Sequence, residues 1–255
     1  YSAKEKKLVA FHEAGHVVVG LSLDEADTVH KVTIVPRGQA GGYAIMLPKE
    51  ERFFTTKQEL LDRIAGLLGG RVAEEIVLGE VSTGAHNDFQ KVTRIARAMV
   101  TEYGMSDKIG ATQFSSSSGG NVFLGRDFNS DQNYSDQIAY EIDQEIQSIV
   151  NTQYERTRQI LTENRELLDL IANTLMEKET LNAQEIEHLR DHGTLPEVEE
   201  VVKEEEVTNE VTPSIEKTGS ATINEDVVGK HTTTTEDLPK EDTDSSKRQD
   251  GIDED

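Results

Sequence analysis

Cysteine is absent from all 255 residues, and so is tryptophan. Without thiols there is no disulfide framework, no thiolate metal site and no cysteine nucleophile, and the absence fits a reducing compartment. Positive charge is scarce. Lys and Arg number 26 against 49 Asp and Glu, a formal net charge of −23. Such a chain repels phosphates and is a poor partner for nucleic acid. No uninterrupted apolar run approaches about 18 residues, so no segment reads as membrane-spanning, and no secretory signal is visible. The phosphate loop G-x-x-x-x-G-K-[ST] is missing, which argues against ATP binding by this chain. No repeat of about 20–50 residues occurs. The chain starts at Tyr1 instead of methionine, and the expectation is a soluble piece cut from a longer protein.

Composition divides the chain near Pro196. From Glu197 to Asp255 there are 19 acidic and 6 basic residues, and no Phe, Tyr or Trp. A segment this polar buries too little apolar surface to offset its chain entropy. Residues 197–255 are therefore expected to be a disordered acidic tail, and residues 1–196 a single domain large enough for one good core.

The densest chemistry lies at His12-Glu13-Ala14-Gly15-His16, an H-E-x-x-H pattern inside the largely apolar stretch Leu8 to Leu21. On a helix, residues four apart share a face, so both imidazoles can present a nitrogen to one Zn²⁺ at about 2.0–2.1 Å. Glu13 emerges beside that spot, where it can take a proton from water activated by the metal. Surface helices with two histidines are usually only solvated faces. Here Val9, Ala10, Phe11, Val17, Val18, Val19 and Leu21 make the segment apolar nearly all round, as in a buried helix. Two histidines and a glutamate buried there need a partner, and a metal is the simplest one. Gly15 weakens a helix by about 0.8–1.0 kcal/mol relative to alanine, and its use suggests that something packs close to the backbone.

The rest of the domain reads as mainly α with a small β-element. The first helix spans roughly Ala3 to Leu23. The β-branched run Val29 to Val35 and the short run Tyr43 to Leu47 flank a Gly-rich loop. Thr56 with Glu59 resembles a capping box that opens a helix through Leu60, Leu61, Ile64, Leu67, Leu68, Val72 and Ile76, with Gly79 as its stop. The loop Val81 to Asp88 leads into a helix carrying Phe89, Val92, Ile95, Ala96 and Met99, ended by Gly104. Ser115 to Gly120 reads as a mobile Ser/Gly loop. Further helices are expected from about Asp136 to Leu161, from Arg165 to Lys178 with Asn164 as cap, and up to Arg190 with Asn182 and Glu185 as a capping pair.

A catalytic zinc usually has three protein ligands and one open position, so one ligand remains to be found. The metzincin pattern needs glycine at position 19 and histidine at position 22; Val19 and Ser22 exclude it. Glu74 and Glu75 on the second helix form one candidate pair, and His86 with Asp88 the other. Exposed glutamates on an amphipathic helix, or an aspartate serving as N-cap, explain the same residues without a metal. Spacing and chemistry leave the choice open.

Three stretches taken together resemble the peptidase domain of the FtsH family of ATP-dependent zinc metalloproteases. They are His12 to His16, Leu68-Gly69-Gly70-Arg71-Val72-Ala73-Glu74-Glu75, and Ser82-Thr83-Gly84-Ala85-His86-Asn87-Asp88-Phe89. The resemblance extends over roughly Tyr1 to Leu195. It implies a helical metallopeptidase domain whose third zinc ligand is Asp88, which makes Glu74 and Glu75 structural and His86 a neighbour. Val17 departs from the alanine of many members, but both are small enough for a buried helix. The resemblance further implies a parent protein at the cell membrane, with this domain on the cytoplasmic side. That parent would carry an AAA ATPase module absent here, assemble as a homo-hexamer, and feed unfolded protein or peptide substrates to a closed chamber.

The expected function is thus zinc-dependent endopeptidase activity with Glu13 as general base. Two rival functions make different demands. In a helical assembly module with a structural zinc, the base beside His12 has no purpose. An adaptor that recruits partners through its acidic tail loses its activity when Glu197–Asp255 is removed, whereas a peptidase keeps it.

Overall fold

The computed structural model describes residues 1–114 and 134–197. The Ser115–Gly120 loop and all but the first residue of the acidic tail lie outside the described residues.

The first helix, α1, runs Ala3–Ser22, and the Ser2 side chain caps it by accepting from the Glu5 amide. From Ala10 to Gly20 every residue of α1 is buried, as an apolar pattern without a polar face requires. Two strands follow, β1 (Thr28–Thr33) and β2 (Tyr43–Leu47), paired antiparallel with an irregularity between Val29 and Lys31. The second helix, α2, covers Lys57–Leu78. Thr56 and Glu59 form the full reciprocal capping box, and Gly79 ends the helix in the left-handed region, φ 64°. A short 3-10 turn, Thr83–Ala85, leads directly into α3 (His86–Thr101). The remaining elements are α4 (Asp136–Glu163), α5 (Arg165–Lys178), β3 (Thr180–Asn182) and α6 (Ala183–His192).

Three strands form one antiparallel sheet in the order β2-β1-β3. The sequence pattern predicts β1 and β2 but not β3, which has only three residues and no alternation to betray it. What holds β3 in place is tertiary: the Ile34 amide donates to the Glu179 carbonyl at 2.9 Å, and the Thr33 and Thr180 hydroxyls meet at 2.8 Å. A second difference concerns Asn164. It makes no side-chain cap for α5; its amide nitrogen instead donates back to the Ile160 carbonyl at 2.8 Å, closing α4. The Asn182–Glu185 pair does form a complete capping box.

Two apolar clusters share α2. On one side, α1 packs with the sheet through Val29, Val32 and Ala44 and with α5 through Leu168, Ile171 and Leu175, and Ile186 and Leu189 of α6 complete the same cluster. On the other, Leu60, Ile64 and Leu68 of α2 meet Val92, Ile95 and Met99 of α3 and Ile142 and Ile146 of α4. The α1–α2 crossing is unusually close. A Cβ placed on Gly69 would sit 2.6 Å from the Gly15 carbonyl oxygen, and one on Gly15 would sit 2.7 Å from the Ala73 Cβ. Both glycines are there because the two backbones touch, as the helix-weakening Gly15 suggested.

Candidate metal centre

His12 and His16 lie one turn apart on the buried face of α1, with their rings edge to face and 4.8 Å between centroids. Across from them, Asp88 projects from the first turn of α3. The three donor atoms nearly form an equilateral triangle. The two Nε2 atoms are 3.1 Å apart, and Asp88 Oδ2 lies 3.3 Å from each. Four ligands at about 2.0–2.1 Å in a tetrahedron are separated by about 3.3–3.4 Å along each edge. The triangle therefore has the size of one face of a zinc site. Among the described residues, these three are the group of His, Asp and Glu side chains arranged to hold a metal ion, and all three are buried.

The outer nitrogens fix which way the lone pairs point. His16 Nδ1 lies 2.8 Å from the Gly66 carbonyl of α2. A carbonyl only accepts, so the proton is on Nδ1 and the Nε2 lone pair faces the triangle. His12 Nδ1 is 3.0 Å from Glu74 Oε2, and the carboxylate there accepts as well. Glu74 is fully buried and takes the Ser82 amide at 3.1 Å and the Ser82 hydroxyl on its other oxygen. Arg71 in turn donates to the Ser82 carbonyl at 2.9 Å. This carboxylate–histidine pairing is the arrangement that sets ring orientation and basicity in metal sites. Gly70 makes room for it: a Cβ there would come within 2.7 Å of His12 Cδ2.

Electrostatics show what the triangle demands. Burial alone pushes His12 down, but hydrogen bonds to Asp88 and Glu74 overcome it and raise the imidazole from 6.5 to about 10. Burial likewise opposes the charged forms of His16 and Asp88, yet the pairing lifts His16 above its ordinary value and pulls Asp88 well below the usual carboxylate range. Two lone pairs and an anion aimed at one buried point require positive charge. Protons supply it here; a divalent cation fits the same demand. Glu13 sits beside the triangle, 5% exposed, and burial raises its carboxyl although the two imidazoles pull the other way.

The remaining sequence candidates fall elsewhere. Glu75 turns away from the histidines to Arg158, 2.8 Å distant. His86 is exposed at the start of α3 and does not join the triangle. Asp88 is not the N-cap of α3, a place held by Ala85; its carboxylate is spent on the histidines. Sequence reasoning missed the role of Glu74. The signal was a glutamate four residues after Gly70, one helical turn along and on the same face of α2.

Fold and donor set together define a helical metallopeptidase domain, with two imidazoles and a buried glutamate on a single helix and an aspartate from another. The model of Peptidase family M41 matches residues 1–189, and the chain belongs to that family. Among similar proteins, the ATP-dependent zinc metalloprotease FtsH of Bacillus subtilis (strain 168) is 72% identical over 196 residues, which covers 77% of this chain and 31% of the relative. The protein of the same name from Alkalihalophilus pseudofirmus is 66% identical over 195 residues, 76% of this chain and 29% of its own. That from Staphylococcus haemolyticus is 62% identical over 209 residues, 80% and 29%. The chain thus spans less than a third of the length of these relatives.

Proposed function

We propose that this chain is the zinc-dependent endopeptidase domain of an FtsH-like protease, and that it hydrolyses peptide bonds in unfolded protein. The observation that carries the reading is the triangle of His12, His16 and Asp88, whose edges suit one tetrahedral ion. Those three side chains hold the metal. Zinc, when bound there, supplies Lewis acidity that acidifies water and polarises a carbonyl.

The chain's own groups do the rest. Glu74 and the Gly66 carbonyl hold the two imidazoles with their Nε2 lone pairs inward. Glu13, held against the triangle in a buried setting, takes a proton from the attacking water and passes it to the leaving amine. An extended substrate lies along β2, an edge strand of the sheet, since strand addition is a common way to hold peptides. Recognition through backbone hydrogen bonds gives broad sequence preference.

The larger setting is part of the same proposal. The relatives' names include ATP dependence, and this chain accounts for less than a third of their length. An AAA ATPase module and a membrane anchor belong to the remainder, with this domain on the cytoplasmic side of a homo-hexamer. Among the described residues no helix is long and apolar enough to cross a membrane.

The test is Glu13→Gln. It should keep its zinc and lose about 10²-fold or more of casein hydrolysis. Unchanged turnover removes Glu13 from the chemistry.

A further inference from the structure

Asp88 reaches the triangle on a helix without a side-chain cap. Ala85 stands at the N-cap of α3 and offers no side-chain hydrogen bond, which leaves the approach to its first turn to the segment before it. That segment is short: Ser82, the 3-10 turn Thr83–Ala85, then His86 and Asn87. It runs beside the metal site, since a Cβ placed on Gly84 would lie 3.9 Å from His12 Cε1.

Arg71 of α2 holds both ends of this segment. At one end its Nη2 donates to the Ser82 carbonyl at 2.9 Å. The other polar groups of Ser82 are committed as well. Its amide and hydroxyl donate to Glu74, about one turn further along α2, and its hydroxyl oxygen accepts from the Gly84 amide at 3.1 Å, which caps the 3-10 turn. At the other end the guanidinium carbon of Arg71 lies 4.6 Å from the centre of the Phe89 ring, and Phe89 directly follows Asp88. A guanidinium makes both contacts because it is flat: its edge donates while its face stacks. An ammonium on a flexible stem fits the pair less well.

We infer that Arg71 is a positioning residue for the metal centre: by bridging Ser82 and Phe89 it sets where the Asp88 carboxylate meets the two imidazoles. This role rests on the proposed ligand set of His12, His16 and Asp88. Arg71 acts through its neighbours and not as a ligand, because a guanidinium has no lone pair to offer an ion. The triangle is sensitive to such bridging. Asp88 Oδ2 lies 3.3 Å from each Nε2, and a displacement of about 1 Å takes that oxygen out of the narrow range of about 2.0–2.2 Å that a zinc–oxygen bond allows. The Ser82 end of the bridge also backs Glu74, which orients His12. One side chain thus ties the α1 side of the site to the α3 side.

The experiment uses the 255-residue protein and reads the metal centre instead of turnover. Competition with a fluorescent chelator gives zinc affinity. Visible absorption of the cobalt(II)-substituted protein reports the donor arrangement, since its bands respond to ligand identity and geometry. Arg71→Met should weaken zinc binding about tenfold, the lower end of what outer-layer changes do, and should shift the cobalt bands. Phe89→Leu keeps an apolar side chain against the cluster that α2, α3 and α4 share but removes the ring, and should weaken binding about threefold, the worth of a cation–π contact. Added to Arg71→Met it should cost nothing more, because the two side chains act as one unit. An Arg71 that only stabilises the fold would lower the urea midpoint and leave the cobalt bands where they are. Parent-like zinc affinity, unaltered cobalt bands, or a Phe89→Leu effect that persists in full on Arg71→Met each overturn the inference. If Arg71→Met does not fold, Arg71→Lys, which keeps the charge but not the flat face, should shift the cobalt bands, and parent-like bands there overturn it. Asp88→Ala separates this role from the reading beneath it. Parent-like bands in that variant overturn the ligand set itself; bands that move with Asp88→Ala but not with Arg71→Met overturn only the role of Arg71.

Discussion

Glu74 illustrates how one buried carboxylate can govern a site it does not join. It accepts three hydrogen bonds, from His12 and from the amide and hydroxyl of Ser82. A carboxamide cannot accept all three without turning its NH₂ toward a donor. Glu74→Gln is expected to weaken zinc affinity about 10–100-fold, as second-layer changes in metal sites do, whereas Glu75→Gln, whose partner is Arg158, should leave it unchanged; competition with a fluorescent chelator measures both. Asp88→Ala should reduce zinc occupancy further, in metal analysis after dialysis. Protonation gives an independent check. The metal-free His12 is raised to about 10, so at neutral pH it holds a proton that an incoming ion must displace. Apparent affinity should therefore rise about tenfold per pH unit above neutrality and flatten near pH 10, and titration calorimetry in two buffers should show proton release. Affinity independent of pH over that window would mean the ion binds elsewhere.

At the level of elements, the site depends on how α1 and α2 meet. Gly15 and Gly69 let the backbones touch, and Gly70 leaves the space that the His12 ring fills. Gly70→Ala should push that ring aside. Overpacking of this kind costs about 1–3 kcal/mol, readable by urea unfolding, and zinc affinity should fall with it. What the sequence could disclose follows from the range of each signal. The α1 pattern, the Thr56–Glu59 box and the Gly79 stop are local, and each is found where it was expected. The β3 strand and the inward turn of Asn164 depend on partners distant in sequence or on competition between two caps, and no local pattern carries them. The site divides in the same way. His12, Glu13 and His16 are visible as a five-residue motif. Asp88 lies 72 positions beyond His16, and only the resemblance singled it out from Glu74, Glu75 and His86. The structure brings its carboxylate to the two imidazoles, while the role of Glu74 rests on a contact across two helices that no spacing rule anticipates.

For the molecule as a whole, charge is unevenly spread along the chain, with 19 of the 49 acidic residues in positions 197–255. Among the described residues, the triangle and Glu13 lie within the first 88 positions. Removing residues 198–255 should leave casein hydrolysis within about twofold of the intact chain and shift the isoelectric point upward. Loss of hydrolysis on that deletion would show that the tail takes part in the peptidase activity.

The contact between Gly15 and Gly69 has one more consequence. Main chain rests on main chain at the crossing, so the two helices that carry His12, His16 and Glu74 are held together by packing that needs no ion. Chelation should therefore leave the circular dichroism spectrum in place, and returning the metal should restore turnover at once, with no lag for renaturation.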